Sequence, residues 1–279
     1  MTESHGRFVW YELMTTDVEA AKAFYAKVVG WGMQDAAVPG ISYTLLTIGE
    51  VSVGGLVQLP EDARRMGAEP RWLGYVAVND VDATAGRISQ LGGAVHVPPA
   101  DIPDIGRFSI VADPQMATLA LVKWLKPGQA ETDELNKPGR VGWHELLAAD
   151  GEKAFPFYSG LFGWRKAEAE IDPASTYQPF SAGNQTIGGM FTKPAIVPVP
   201  FWLYYFNVAD IAAAAEHVNA LGGQILEGPV DVPGGSRVAR CADPLGAMFA
   251  LIEKRKDKAV GYFERGVSPP GAGGRRWSW

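Results

Sequence analysis

Two carboxylates set among aromatic side chains are the residues in this chain best suited to chemistry. Glu12 lies in Phe8-Val9-Trp10-Tyr11-Glu12-Leu13, and Glu145 in Val141-Gly142-Trp143-His144-Glu145-Leu146. A carboxyl group buried beside indoles and phenols loses hydration. Its pKa then rises, and it can serve as general base or general acid. The competing reading is structural: a buried carboxylate needs a cationic partner, and Arg107 and Arg237 stand at matching places in the two halves of the chain. Recurrence in both halves favours that scaffold role. His144 takes the place of Tyr11 and breaks the symmetry, as functional specialisation would. Strand alternation nevertheless turns it away from the face that carries Glu145, toward a packed or surface position.

Other reactive types carry less. His96 and His217 fall in a strand and a helix with nothing to work with. Cys241 has no base beside it in sequence and reads as a buried, inert thiol. The pairs Gly54-Gly55 and Gly188-Gly189 lack the Lys-Ser/Thr that a phosphate loop needs, so a sharply bent strand is expected there.

These residues sit in a repeat. Trp10 and Trp143 are 133 positions apart, as are Glu12 and Glu145, Asp17 and Asp150, Phe24-Tyr25 and Phe157-Tyr158, and Gly30-Trp31 and Gly163-Trp164. Further on the offset becomes 130, matching Trp72 with Trp202, Tyr75 with Tyr205, Leu91-Gly92-Gly93 with Leu221-Gly222-Gly223, and Ala112-Asp113-Pro114 with Ala242-Asp243-Pro244. The chain is an internal duplication. Each half divides again. A strand at 7–14 leads through Asp17 into a helix whose Ala21, Phe24, Tyr25 and Val28 share one face, and Gly30 ends it. Strands at 41–48 and 51–59 follow, joined at Gly49-Glu50. A second unit runs from a strand at 72–78 through Asp80, a helix and Gly92-Gly93 to short strands near 94–97, 107–111 and 117–123. The expected class is α+β: four βαβββ modules in two domains, 5–125 and 139–256, with a polar linker at 126–138 and a Gly/Pro-rich tail at 257–279.

Composition narrows the partners. A net charge of -6 without a dense basic run argues against nucleic acid. One cysteine permits no internal disulfide, and no segment reads as a signal peptide or membrane span. The expectation is a soluble cytoplasmic protein, monomer or homodimer, whose partner is a small molecule.

Opening strand, Asp-started helix with a Phe-Tyr pair, Gly-Trp at its end and closure through Asp-Pro: this order resembles the vicinal oxygen chelate superfamily of glyoxalases, bleomycin-resistance proteins and extradiol dioxygenases. Asp17-Val18-Glu19-Ala20-Ala21-Lys22-Ala23-Phe24-Tyr25 is similar to that superfamily's helix signature, and Asp150 to Tyr158 is a looser copy containing Pro156. The Trp-x-Glu-Leu strand opening each half is similar to that of two-domain bacterial glyoxalase-like proteins, a group that often carries a hydroxylase label. The resemblance covers roughly residues 7–255 and implies half-barrel sheets. Pairing of the first module with the second, or with the fourth, is left open. Met116 stands where the closing turn normally carries Gly, so that turn is expected to be strained or differently shaped.

The resemblance also implies where a divalent ion would sit: on the concave face, polarising neighbouring substrate oxygens as a Lewis acid. Counting from landmarks, the ligand positions fall on Trp10, Leu73 and Ala120, and on Trp143, Leu203 and Ala250. None offers an N, O or S donor suited to an ion, so no cofactor is expected, although displaced ligands would rescue a metal site. If Trp10 and Trp143 face the cavity, strand parity brings Glu12, Met14, Tyr75, Glu145, Leu147, Tyr205 and Asn207 with them. Such a pocket suits a flat apolar or aromatic ligand. Three functions follow: an acid–base enzyme acting through Glu12 or Glu145 on an aromatic, polyketide-like or reactive carbonyl metabolite; a metal-free sequestering protein of bleomycin-resistance type; or a metal-dependent glyoxalase or dioxygenase with displaced ligands. For the first, Trp10, Trp143, Tyr75, Tyr205, Asn207, Arg107 and Arg237 would contact substrate, with His144 beside the base.

Overall fold

A computed structural model describes residues 4–38, 41–126, 136–168 and 176–254. The first half contains β1 (Phe8–Thr15), α1 (Val18–Val28), β2 (Gly32–Val38), β3 (Ile41–Ile48), β4 (Val51–Gln58), α2 (Glu61–Arg65), β5 (Arg71–Ala77), α3 (Val81–Gln90), β6 (Ala94–Ile102), β7 (Gly106–Ala112) and β8 (Thr118–Trp124). The second contains β9 (Val141–Ala148), α4 (Gly151–Phe162), β10 (Arg165–Lys166), β11 (Gln178–Ala182), β12 (Gln185–Thr192), β13 (Phe201–Asn207), α5 (Ile211–Ala220), β14 (Gln224–Asp231), β15 (Arg237–Ala242) and β16 (Met248–Glu253). The tail and most of the linker inferred from sequence lie outside the described residues.

The same local chemistry starts every module. Asp17, Asp80, Asp150 and Asp210 are extended N-caps whose carboxylates accept backbone N–H bonds from the first turns of α1, α3, α4 and α5. The edge strand β2 and the five-residue α2 were not placed by apolar periodicity. The first is largely solvent-exposed, and the second buries no residue. The turn at Met116 has the shape of its glycine counterpart: φ is +77° at Met116 and +95° at Gly246. Asp113 Oδ1 accepts from the N–H of Gln115 and Ala117, bracketing Met116 and holding it in the left-handed region.

Two eight-stranded sheets result, ordered β2-β3-β4-β1-β5-β8-β7-β6 and β10-β11-β12-β9-β13-β16-β15-β14. The first module therefore pairs with the second, and the third with the fourth. β1 joins its sheet's halves, antiparallel to β5, as β9 does to β13. In both, a bulge precedes the Trp: register shifts between Phe8 and Trp10, and between Val141 and Trp143, whose partners are Tyr75 and Tyr205. Beyond the bulge, Tyr11 and Leu13 point into the main core, while Trp10 and Met14 join Leu73, Tyr75 and Ala120 on the other face.

The main core lies between the halves, and their contact is reciprocal. Tyr25 donates to Asp243 (3.1 Å) and Tyr158 to Asp113 (2.8 Å). Trp31 Nε1 donates to the Gly139 carbonyl (2.8 Å) and Trp164 Nε1 to that of Gly6 (2.6 Å). Tyr11 meets His144, and Gly74 N donates to the hydroxyl of its own repeat equivalent, Tyr204 (2.7 Å). Each pair is mapped onto its mate by the sequence repeat, so the halves meet about a pseudo-twofold axis in the manner of a symmetric dimer.

Candidate active site

The sheet face turned away from this core is curved. In the first half, Tyr43 from β3 and Val97 from β6 line a cavity together with Trp10, Glu12, Tyr75 and Ile110; the continuous space, about 960 Å³, also reaches residues between the halves such as His144 and Phe206. Apolar side chains supply most of the wall, and Trp10 meets Trp124 edge to face at 6.3 Å between ring centroids.

Glu12 is the carboxylate of this cavity. Its Oε2 accepts from the Tyr43 hydroxyl (2.8 Å) and its Oε1 from the Tyr75 hydroxyl (3.1 Å). Trp10 Nε1 donates in turn to the Tyr43 oxygen (3.0 Å), fixing the phenol's orientation. Burial pushes the Glu12 carboxyl above the ordinary carboxylate range, and the two phenol hydrogen bonds only partly offset it. Burial likewise raises Tyr43 and Tyr75, with the Glu12 charge adding to the effect, so both phenols remain hydrogen-bond donors.

The second half repeats the frame with different surroundings. Tyr205 donates to Glu145 Oε2 (2.7 Å), and Trp143 Nε1 donates to Tyr177 (2.7 Å). Here a cation enters: Arg240 Nη2 lies 2.8 Å from the same Glu145 oxygen, Nη1 lies 2.6 Å from Glu227, and Nε donates to Tyr205 (3.2 Å). Its guanidinium also sits over the Phe191 ring, at 5.9 Å. Lys254 stands 5.9 Å above Trp143 and donates to the Gly142 carbonyl, and burial lowers its ammonium pKa.

Several expectations from sequence are corrected. Neither Arg107 nor Arg237 meets a site carboxylate. Arg107 is bound to Asp82 (2.7 Å) and Asp101 (2.8 Å), and Arg237 lies 4.0 Å from Asp231. The reason is parity: in β7 Phe108 and Ile110 face the cavity, and in β15 Val238 and Arg240 do, which puts Arg107 and Arg237 on the helix side. His144, which strand alternation turns away from the Glu145 face, is buried between the halves, and burial lowers its pKa to about 4. Asn207 is buried at the end of β13, its side chain filling the space that a Cβ on Gly142 would need. The glycine pairs serve close approach: a Cβ on Gly55 would fall 1.8 Å from the Tyr43 hydroxyl and one on Gly189 2.2 Å from the Tyr177 ring. Only glycine lets these phenols lie across the sheet to reach the carboxylates. Cys241 is buried in the main core, where burial pushes its thiol up to about 12.

Tyr43, Tyr177 and Arg240 were missed. Tyr43 and Tyr177 lie 134 apart, close to the repeat offset, and Arg240 lies three residues before Asp243 on the face that strand parity assigns to the cavity. Those were the available signals. Trp10 and Tyr75 lie around Glu12, and Trp143 and Tyr205 around Glu145.

A sequence profile of the Glyoxalase/Bleomycin resistance protein/Dioxygenase superfamily matches residues 7–121 and again 140–251. The chain belongs to this superfamily. "Putative glyoxylase CFP32" of Mycobacterium tuberculosis is 35% identical over 246 residues, covering 88% of this chain and 93% of that protein. Anthracycline biosynthesis protein DauV of Streptomyces sp. (strain C5) is 31% identical over 267 residues, covering 90% and 94%. Among solved structures of similar fold, the Mn(II)-bound glyoxalase of Novosphingobium aromaticivorans superposes with a TM-score of 0.62 at 15% identity, covering 90% of this chain and 83% of that one. The 2,3-dioxygenase LapB of Pseudomonas sp. KL28 gives 0.60 at 10% identity, covering 92% and 95%.

The superfamily's divalent metal fits this donor set poorly. The expected ligand positions Leu73 and Ala120, and Leu203 and Ala250, lie on the concave faces without a donor atom. Among the described residues no group of three His, Cys, Asp or Glu side chains converges. One carboxylate flanked by protonated phenols cannot supply the three or four anionic or imidazole ligands such an ion takes. No helix among the described residues is long and apolar enough to cross a membrane.

Proposed function

We propose that this member of the glyoxalase superfamily is an acid–base enzyme for a flat, uncharged aromatic or polyketide-derived carbonyl compound, working in the first-half cavity without a metal. The carrying observation is Glu12: a carboxylate facing an aromatic cavity, raised by burial and held by two phenols. A carboxylate so placed is a stronger base than one in water, and desolvation by an aromatic ligand strengthens it further. It would take a proton from a carbon next to the ligand's carbonyl, leaving the electron pair in an enolate. Return of that proton to another atom completes an isomerisation with no other reactant. Trp10 and Trp124 would sandwich or edge the ring system, and Tyr43 and Tyr75 would hold Glu12 in place. The names of DauV and of its Streptomyces peucetius counterpart DnrV, 29% identical, connect such relatives with anthracycline biosynthesis, which supports an aromatic polyketide ligand.

The test is exchange of carbon-bound hydrogen in D₂O with 1-tetralone and 2-tetralone, aryl-fused ketones that carry hydrogens on the carbon next to the carbonyl, read by mass spectrometry. Enzyme-dependent deuterium uptake or rearrangement that Glu12→Gln abolishes is expected. Uptake at the full rate in Glu12→Gln ends the proposal. Tight binding with no exchange in the wild type replaces it with sequestration.

A further inference from the structure

The two concave faces share a frame and differ at several positions, among them Trp124 against Lys254 and one cross-strand pair that introduces a salt bridge to the site carboxylate. In β6 and β7 of the first half, Val97 is the register partner of Ile110. In β14 and β15 of the second half, the corresponding partners are Glu227 and Arg240. The match is by register as well as by repeat: Ile110 lies opposite Ala120 and Arg240 opposite Ala250, on β8 and β16. Val97 and Ile110 both line the first-half cavity.

We infer that this pair decides which concavity admits an uncharged aromatic ligand: Val97–Ile110 opens the first half, and Glu227–Arg240 closes the second. The inference rests on the proposed ligand class. In the second half the Arg240 guanidinium spans from Glu227 to Glu145, at 2.6 and 2.8 Å, and adds a contact to Tyr205. Its stem and planar head therefore lie over the carboxylate, on the Phe191 ring, where a flat ligand would stack. Glu145 Oε2 already accepts from both Tyr205 and Arg240. A ligand would have to break a charge-assisted network and leave charges without their partners, which is costly in a desolvated site. In the first half isoleucine is too short to reach Glu12 and carries no charge, so the ring space above the carboxylate stays open. A neutral phenol finds there an acceptor and aromatic walls, whereas an anion would meet Glu12 without a compensating cation from this pair.

The measurement uses 2-naphthol, a flat neutral weak acid, titrated calorimetrically into the full chain. The charge-balanced exchanges are Glu227→Val with Arg240→Ile, and Val97→Glu with Ile110→Arg. Wild type is expected to take up about one equivalent, the first double variant about two, and the second none. Arg240→Met keeps the aliphatic stem and serves if the double variant does not fold. It too should raise the uptake toward two. Uptake of two equivalents by the wild type overturns the inference. So does uptake of one by well-folded Arg240→Met and Glu227→Val/Arg240→Ile proteins. The expected pattern of binding, with no hydrogen exchange in any ketone, keeps this inference and removes the acid–base reading.

Discussion

The Tyr11 hydroxyl lies 2.6 Å from His144 Nε2, and these two residues are repeat equivalents, 133 apart. The direction of the bond follows from the other ring nitrogen. His144 Nδ1 is 2.7 Å from the Ile187 carbonyl, which can only accept, so Nδ1 carries the proton. Burial keeps the imidazole neutral, with its pKa lowered to about 4, so Nε2 accepts and Tyr11 donates. The residue that breaks the symmetry of the two opening strands thus lets the strands bond to each other. Two tyrosines could do so too, but neither would then reach Ile187 in the same way.

His144→Phe should destabilise the fold by about 2–3 kcal/mol, from two lost hydrogen bonds and an orphaned buried carbonyl. The variant should also respond differently to acid. Wild-type His144 stays neutral in the fold to about pH 4, while in the unfolded chain it takes up the proton near 6.5, as a free imidazole does. Stability from this residue is complete above 6.5 and drains as pH falls from there to about 4. Denaturant titrations across that window should show a shallower acid slope for His144→Phe.

Glu12 gives the opposite sign. Its folded pKa is raised, so the cost of ionising it is absent in acid and grows as pH rises through the folded value. Glu12→Gln should therefore melt higher than wild type at neutral pH and lose that advantage in acid, while reducing turnover about 100-fold or more. A lower melting temperature at neutral pH would show that the carboxylate is compensated in the fold.

Tyr43→Phe and Tyr75→Phe each remove a hydrogen bond that holds the Glu12 carboxyl down. For a reaction that needs Glu12 as base, the acid limb of the kcat/KM profile should move to higher pH in both variants. Gly55→Ala should act like Tyr43→Phe, because the added Cβ displaces that phenol. An unchanged profile in all three would separate these tyrosines from the base.

Met116 is 59% exposed and held at φ +77°. Met116→Gly should stabilise the chain by about 1 kcal/mol, since relief of left-handed strain outweighs the added backbone entropy of the unfolded state. Thermal unfolding decides the sign.

Much of this molecule was legible in its residues because the signals are local and repeated. The Asp caps mark the module four times, the Phe-Tyr helix faces, the Asp-Pro turns and the 133- and 130-residue offsets state the half twice, and strand alternation put Trp10, Glu12 and Tyr75 on one face. What pairs with what was not local. Arg107 and Arg240 are both β-strand arginines near a turn, and one residue of parity sends the first to the helices and the second to a carboxylate 95 positions away. The reach of Tyr43 across Gly55 and the meeting of Tyr11 with His144 likewise depend on how sheets curve and halves dock. Short-range periodicity says which way a side chain points along its own strand. Only the closed sheet, with its register and curvature, determines what stands opposite.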